Sequence, residues 1–296
     1  MTVQRAIFLP NFGPFGDPTV LVELARETEA CGWDGFYLWD HISWEGDSNG
    51  SIVDPWVTMA AIAGATAKLR LGTMITPLPR RRPWKLARET ATLDLLSGGR
   101  LDLGVGLGYP PDLEFGMFGE ETDDRVRAAM LDEGLAVLDG LWSGEEFSFA
   151  GEHYRVEGAR FLPRPVQSPR VPVWCAGWWP NRRPFRRAAR WDGVIPEKVG
   201  GDTLTPREVA EIRDYVAAHR DADRSFDIAI NGYSGAVDSE ATLADYESAG
   251  VTHWLERIEP NRLFSVEQAR ELIQAGPPPP ERRAGGRPLE PKGNQA

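Results

Sequence analysis

Residues 85–109 constrain the fold of this chain more than any other segment. Apolar residues recur at three- and four-residue spacing in its first half, which predicts an amphipathic helix. Gly98-Gly99 then ends the helix, because glycine takes the left-handed backbone conformation that helix ends require. Apolar residues alternate with glycines over 101–108, which predicts a strand buried on both faces. Gly106 and Gly108 would leave room for a flat ligand at the end of this strand.

The same alternation of helix and strand repeats along most of the chain. Further strands are predicted at 6–9, 35–39, 69–75, 171–176, 193–195, 226–231 and 252–255, and further helices at 18–30, 54–67, 122–141, 181–190, 206–220, 239–249 and 265–275. Eight strands alternating with helices predict a (β/α)8 TIM barrel, an α/β fold, as a single domain over 1–276. A doubly wound open sheet is the alternative.

Two insertions interrupt the alternation of strands and helices, and the C-terminal segment does not show it. A loop and a long helix follow the fourth strand, and a hairpin is predicted at 146–156, so we expect insertions after strand four and before strand five. After Gly276, four prolines and a charged, Gly-rich continuation show no apolar periodicity. Residues 277–296 are therefore predicted to be a disordered tail.

Composition limits the partners and the location that we expect. The chain has 44 acidic and 33 basic residues and a net charge of −11, which argues against nucleic acid and anionic membranes as partners. Only Cys31 and Cys175 occur, and we find neither a signal peptide nor an apolar run that could span a membrane, so a reducing cytoplasm is expected. The four histidines lack metal-ligand spacing, so no metal site is predicted.

Polar, small and aromatic residues stand where the predicted strands end. Strand two ends in Asp40-His41, strand three in Thr76-Pro77, and strand five in Gly177-Trp178. The active sites of TIM barrels are built at the carboxyl ends of the strands. We therefore expect these groups to converge on one end of the barrel.

Seven short segments give the chain a family resemblance. They are WDH at 39–41, LGT at 71–73, TP at 76–77, ATLDLLSGGRLDLGVGLG at 91–108, RPVQSP at 164–169, VPVWCAG at 171–177 and ARWDG at 189–193. With these motifs the chain resembles the bacterial-luciferase-like family from about residue 7 to residue 275. That family comprises FMN-dependent monooxygenases and coenzyme F420-dependent oxidoreductases on a TIM barrel, and the resemblance implies a homodimer.

The resemblance implies catalytic roles for two residues. His41 corresponds to the family's histidine beside the reactive edge of the flavin or deazaflavin ring, where imidazole exchanges a proton near neutral pH. The alternative for His41 is a hydrogen-bonded structural histidine. Asp40 either orients His41 or holds a loop.

The resemblance also implies a set of cofactor contacts. Thr76 corresponds to the residue whose backbone supports the ring, often near a non-proline cis bond, and the alternative is an ordinary threonine before a proline. Gly106 and Gly108 form the cofactor floor. Backbone N–H groups of Gly177 and Trp178, a following helix and Arg182 would bind the phosphate, unless this is only a glycine turn with surface arginines. Leu107 stands where an arginine can reach the phosphate in FMN enzymes, which favours F420.

The aromatic residues near the strand ends suggest the kind of substrate. Trp39, Trp44, Tyr109 and Trp179 would line a pocket for a small, largely apolar molecule, although core packing also explains such residues. The function expected from the resemblance is hydride transfer by F420 to or from this substrate. The alternative is an FMN-dependent monooxygenase that uses O2 and reduced flavin from a partner reductase, and a non-catalytic flavin-binding barrel is a lesser alternative.

Overall fold

The computed structural model describes residues 3–44, 50–221, 224–235, 239–258 and 265–285. Its strands are β1 (Gln4–Leu9), β2 (Gly35–Leu38), β3 (Arg70–Pro77), β4 (Leu101–Gly106), β5 (Glu146–Ala150), β6 (Arg155–Arg160), β7 (Val173–Trp179), β8 (Gly193–Lys198), β9 (Asp227–Gly232) and β10 (His253–Arg257). Its α-helices are α1 (Pro18–Ala30), α2 (Pro55–Ala65), α3 (Pro83–Ser97), α4 (Pro111–Glu114), α5 (Asp124–Trp142), α6 (Arg182–Ala188), α7 (Pro206–Ala217), α8 (Leu243–Ala249) and α9 (Val266–Gln274).

Eight parallel strands close into a barrel in the order β1-β10-β9-β8-β7-β4-β3-β2. This confirms the predicted TIM barrel, and the open sheet is wrong. The predicted insertions are present as well: α4, α5 and the antiparallel β5–β6 hairpin lie between β4 and β7, the fifth strand of the barrel.

Capping signals place several ends of the barrel helices correctly, whereas α8 begins four residues later than predicted and α7 ends three residues earlier. Asp54 caps α2 by accepting a hydrogen bond from the N–H of Val57, and Pro55 occupies the first turn, where its missing N–H costs nothing. Gly98 takes φ of +68° and ends α3 in the left-handed conformation. The segment 85–109 therefore folds as the predicted helix, turn and strand.

Side chains alternate between the barrel interior and the layer between barrel and helices. On β8, Val194 belongs to the outer hydrophobic core and Ile195 to the interior cluster. The interior cluster contains Ala6, Phe8, Phe12, Tyr37, Trp39, Met74, Trp174, Ile195, Ala229 and Leu255. Because the period of a strand is two, these residues identify which side chains at the carboxyl ends face the opening of the barrel. We call this opening the mouth.

Polar side chains close the opposite end of the barrel. The Tyr37 hydroxyl donates to Asp102 Oδ2 over 2.7 Å, and Arg70 Nε donates to the same oxygen over 2.7 Å. Tyr37 and Asp102 are almost completely buried. This end is filled by satisfied polar groups, which leaves the mouth as the end where a ligand can enter.

The predicted tail begins later than expected, because residues 277–285 are ordered against the barrel. Ala284 forms a bridge with Ser234 and is fully buried, and Arg283 forms a bridge with Thr242. Backbone hydrogen bonds supply the order that apolar periodicity did not predict. Residues 286–296 lie outside the described residues.

The structure bears on the cysteines, on membrane-spanning helices and on metal-binding groups. Cys31 and Cys175 are both free thiols. In the described ranges, no helix is long and apolar enough to cross a bilayer, and no group of three or more His, Cys, Asp or Glu side chains is arranged to hold a metal ion. The cytoplasmic location stays a prediction.

Candidate active site

Aromatic side chains surround His41 at the mouth. The His41 ring lies 4.6 Å from the Trp44 ring and 5.6 Å from the Trp39 ring, measured between centroids. Phe12 stacks on Trp44 at 4.9 Å and meets the edge of Trp39 at 5.7 Å. The structure therefore brings three predicted site residues, His41, Trp39 and Trp44, into one cluster, to which Phe12 adds a fourth member.

A buried carboxylate that the sequence did not point to holds the His41 ring. His41 Nδ1 lies 2.9 Å from Glu114 Oε1, and Glu114, the last residue of α4, is completely buried. Arg80 forms an ion pair with the same carboxylate. Asn11 fixes the backbone, since its Nδ2 donates to His41 O over 2.9 Å. The imidazole is thus oriented by loops that follow three different strands.

Asp40 holds loops and has no hydrogen bond to the His41 ring. Its carboxylate accepts hydrogen bonds from Arg80 Nη2 over 2.7 Å and from Arg81 Nη2 over 2.8 Å. Thr76 Oγ1 donates to Oδ2 over 3.0 Å, and the Trp56 indole donates to the same oxygen over 3.2 Å. Of the two roles considered for Asp40, this geometry is that of a residue that holds a loop.

The surroundings of His41 keep its imidazole neutral. Burial lowers the pKa of His41 from 6.5 to about 4; the nearby Arg80 guanidinium also lowers it, and the carboxylates of Asp40 and Glu197 act against this shift. The Glu114 carboxylate is paired with Arg80 and accepts hydrogen bonds, so in the neutral imidazole Nδ1 carries the proton and donates it. Nε2 has no hydrogen-bond partner in the part of the chain that the structure describes, and it is left as the acceptor.

The depressed pKa of His41 predicts a pH dependence of stability. The unfolded chain binds this proton below pH 6.5, whereas the folded chain binds it only below about pH 4. The free energy of unfolding should therefore fall as the pH drops from 6.5 to 4, by about 3 kcal/mol in total from this group. Urea denaturation at several pH values should show a shallower dependence in His41→Asn than in the wild type. Equal slopes in the two proteins would contradict the shift.

Small residues line the mouth where β3, β4 and β7 end. Gly106 and Ala176 face the interior, and a Cβ added at Gly106 would collide with Ile75 Cδ1. The Met74–Ile75 peptide bond is cis, one residue before the predicted Thr76, whose side chain is completely buried against Asp40. Ile75, Gly106 and Ala176 form an apolar patch that we call the cradle.

The loop after β4 has its own internal support. Gly108 has φ of +86°, and a Cβ there would lie 2.8 Å from Phe115 Cε2, so this position favours glycine for steric reasons. Arg127 of α5 is buried, and its Nη1 donates to the carbonyl oxygens of Leu107 and Gly108 over 2.8 and 2.9 Å. The Leu107 side chain packs against the outer core.

Strand β7 extends beyond the end at residue 176 that the sequence predicted. Gly177 and Trp178 lie inside the strand, and α6 begins at Arg182. Trp178 is 43% exposed and lies 5.0 Å from the Tyr109 ring, so these two aromatic residues form a second pair at the rim of the mouth.

Trp179 and Arg182 lie on the outer side of β7, away from the cluster around His41. Trp179 is buried in the outer core with its ring 5.2 Å from that of Phe185. The Arg182 guanidinium lies 3.9 Å from the Trp179 ring and 4.8 Å from the Tyr215 ring. Neither residue contacts the cluster around His41.

Three interior-facing polar residues complete the mouth, and the sequence analysis did not name them. Glu197, Asn231 and Arg257 end β8, β9 and β10 on the faces that carry Ile195, Ala229 and Leu255. The period-two alternation of each strand could have identified them. No local pattern pointed to the contacts of Glu114 and Arg80 with His41 and Asp40, which span 73 and 40 residues of sequence.

The mouth of this closed parallel barrel thus combines a carboxylate-held histidine with an apolar cradle. Residues 6–278 match the model of the family described as luciferase-like monooxygenase. The chain belongs to this family, which confirms the resemblance stated from its motifs.

Curated proteins of similar sequence include F420-dependent enzymes. It is 29% identical over 223 residues to an F420-dependent glucose-6-phosphate dehydrogenase of Amycolatopsis mediterranei, covering 72% of this chain and 65% of the relative. It is 33% identical over 213 residues to the enzyme of the same name from Mycobacterium tuberculosis, covering 71% and 62%. The chain thus spans less than two thirds of the length of these relatives.

Solved structures share the fold at low sequence identity. An F420-dependent secondary alcohol dehydrogenase in complex with an F420-acetone adduct superposes with a TM-score of 0.73 at 20% identity, covering 93% of this chain and 98% of that one. The oxygenating constituent of a type II Baeyer-Villiger monooxygenase from Pseudomonas putida, in complex with FMN, gives 0.65 at 18% identity, covering 79% and 67%. These likenesses establish the fold.

Proposed function

We propose that this chain is an F420-dependent oxidoreductase that transfers a hydride to or from a small, largely apolar organic substrate. The observation that carries the proposal is His41, held through Nδ1 by Glu114 and packed against Trp39 and Trp44, which belong to the same interior cluster as Ile75 and Ala176 of the cradle. The F420-dependent names of the curated relatives support the choice of cofactor. Leu107, in place of an arginine, agrees with that choice.

The cradle fits a flat ring. Ile75, whose side chain lies over Gly106, and Ala176 offer an apolar surface to the ring. The Trp39 indole N–H is buried without a hydrogen-bond partner among the described residues, so a ring carbonyl could accept its proton. Bound F420 would supply the hydride-transferring carbon of its deazaflavin. Gly108 and Thr76 would support the ring through the loop and strand that carry them. Gly177, Trp178 and Arg182 remain the predicted contacts of the phosphate.

The residues of the chain would manage the proton and exclude water. His41 Nε2 accepts the proton of a substrate hydroxyl, or returns it, while Glu114 holds the ring in one orientation. Trp44, Trp39 and Phe12 cover one side of the mouth, and Trp178 and Tyr109 cover the other. These aromatic walls would enclose an apolar substrate and keep the transfer away from bulk water.

Cofactor titration tests this proposal. Oxidised F420 and FMN are added separately to the purified protein, and binding is followed by fluorescence. We expect micromolar affinity for F420 and at least tenfold weaker binding of FMN. The absorbance of F420 near its visible maximum then reports turnover with a panel of alcohols and, in reverse, of carbonyl compounds. Micromolar FMN binding with none of F420 would overturn the proposal.

The second candidate is an FMN-dependent two-component monooxygenase. The description of the family and the likeness to an FMN-containing oxygenating enzyme favour it. Its partner would be a flavin reductase, and oxygen consumption with reduced FMN would support it. A barrel that binds flavin without catalysis would show binding in the first titration and no turnover with either cofactor.

We also propose that the chain forms a homodimer through α2. This helix carries no charged residue, and its exposed face presents Val57, Ala60, Ala61 and Gly64, with Val57 73% exposed. An uncharged exposed face of small residues suits close packing of a second helix. Light scattering after size-exclusion chromatography should give twice the mass of the chain, and Ala61→Glu should give one chain mass. A monomeric wild type would contradict the proposal.

A further inference from the structure

Glu197 lies across the mouth from His41. In the closed barrel, β8 is four strands away from β2 whichever way the strands are counted. Ile195 belongs to the interior cluster, so Glu197, two residues later on β8, also faces the interior. Lys198 faces outward and forms an ion pair of 2.9 Å with Glu208 on α7. The Glu197 carboxylate also acts electrostatically on His41. We call the space between these two residues, inside the mouth, the cleft.

Two donors hold the Glu197 carboxylate in place. Asn231 Nδ2 donates to Oε1 over 3.3 Å, and the Trp178 indole donates to Oε2 over 3.1 Å. Asn231 in turn accepts a hydrogen bond of 3.2 Å from Arg257 Nη1. A carboxylate oxygen accepts more than one hydrogen bond, and the Glu197 side chain is only partly buried. Each oxygen therefore retains capacity for a ligand in the cleft.

The charges around the cleft balance one another. Behind His41, Asp40 and Glu114 face Arg80 and Arg81. At the opposite wall Glu197 is accompanied by Arg257, whose guanidinium lies 5.6 Å from the Trp39 ring and donates to Asn231. Among the described residues named here, a phosphate or carboxylate group in this cleft would meet the Glu197 carboxylate without a surplus of positive charge to offset it. A neutral hydroxyl would instead find an ionised acceptor.

We propose that Glu197 is a specificity-determining residue, which binds a hydroxyl group of a neutral substrate and excludes phosphorylated and carboxylated ones. This inference rests on the proposed oxidation and reduction of alcohols and carbonyl compounds, and it names the substrate class. The substrate is a neutral compound with an apolar body and a hydroxyl besides the one that reacts with the help of His41. The apolar part contacts Trp44, which Phe12 supports from behind, and the second hydroxyl contacts Glu197.

Matched substrates test the role of Glu197. Cyclohexane-1,4-diol and 4-hydroxycyclohexanecarboxylate share one body and differ in charge, as do glucose and glucose 6-phosphate. With F420 and the full-length chain, we expect kcat/KM to favour the neutral member of each pair by about tenfold or more. In Glu197→Gln this preference should fall to within about threefold, mainly because KM for the neutral member rises. Glu208→Gln is the control. Glu208 pairs with the outward-facing Lys198 next to Glu197, so this variant should retain the preference.

Direct binding separates a failure of this inference from a failure of the proposed function. Saturation-transfer NMR detects binding of the diol without turnover. The affinity for the diol should be about tenfold weaker in Glu197→Gln than in the wild type and unchanged in Glu208→Gln. F420 affinity by fluorescence should be equal in all three proteins. If F420 does not bind but the diol signal depends on Glu197, only the proposed cofactor fails. A wild type that prefers the anionic member, or a Glu197→Gln variant that binds the diol as the wild type does, overturns the role of Glu197.

Discussion

Replacing His41 by alanine is expected to lower kcat about 10²- to 10⁴-fold, the usual contribution of a positioned acid or base, while the affinity for F420 changes by less than about threefold. The reason is that Nε2 is the ring nitrogen left to handle the proton, whereas the cradle for the ring is built from other residues. Steady-state kinetics and fluorescence titration measure the two quantities separately.

Two further variants define what the His41 result means. Glu114→Gln keeps the volume of the buried side chain but weakens its grip on Nδ1, so a tenfold-order loss of kcat is expected from misorientation. His219→Ala removes an exposed histidine at the end of α7 and should leave kcat unchanged. Unchanged turnover in His41→Ala would remove this residue from the mechanism, and a loss of F420 binding would assign it to the cofactor site.

Asp40→Ala is expected to destabilise the fold by about 3–5 kcal/mol, because it leaves the partly buried guanidinium of Arg81 without its carboxylate and deprives the buried Arg80 side chain of one of two partners. Urea denaturation measures the effect. Asp54→Ala is a matched control, since it removes an exposed helix cap and should cost only about 1 kcal/mol. A loss for Asp40→Ala no larger than that of Asp54→Ala would show that the ion pairs contribute little.

Periodicity and turn chemistry were enough to predict the barrel. The strands and helices are short-range features, and Gly98, Asp54 and Pro55 act on their immediate neighbours. The ends of the strands were harder to predict. Strands β7 and β8 each extend three residues beyond the apolar runs from which they were predicted. The extra length turned the predicted Gly177-Trp178 loop into strand. It also placed Trp179 on the outward face, since Trp174, Ala176 and Trp178 alternate inward.

The site was predictable where the chain itself brings residues together and not where folding does. Trp39, His41 and Trp44 are neighbours in sequence, and they meet as expected. Glu114 lies in a four-residue helix with no pattern of its own, and its contact with His41 depends on how the loop after β4 folds back. Long-range ion pairs of this kind leave no periodic signal in a single sequence.

The Arg80 guanidinium bonds to both Asp40 and Glu114, and so one side chain ties together the loops that follow β2, β3 and β4. Barrel enzymes are often regarded as modular, with each loop free to be exchanged for another. In this protein those three loops depend on one another, because Arg80 pairs with a carboxylate in each of the other two. An engineer who grafts a new loop after β4 must bring along an acceptor for Arg80, or replace Arg80 in the same step.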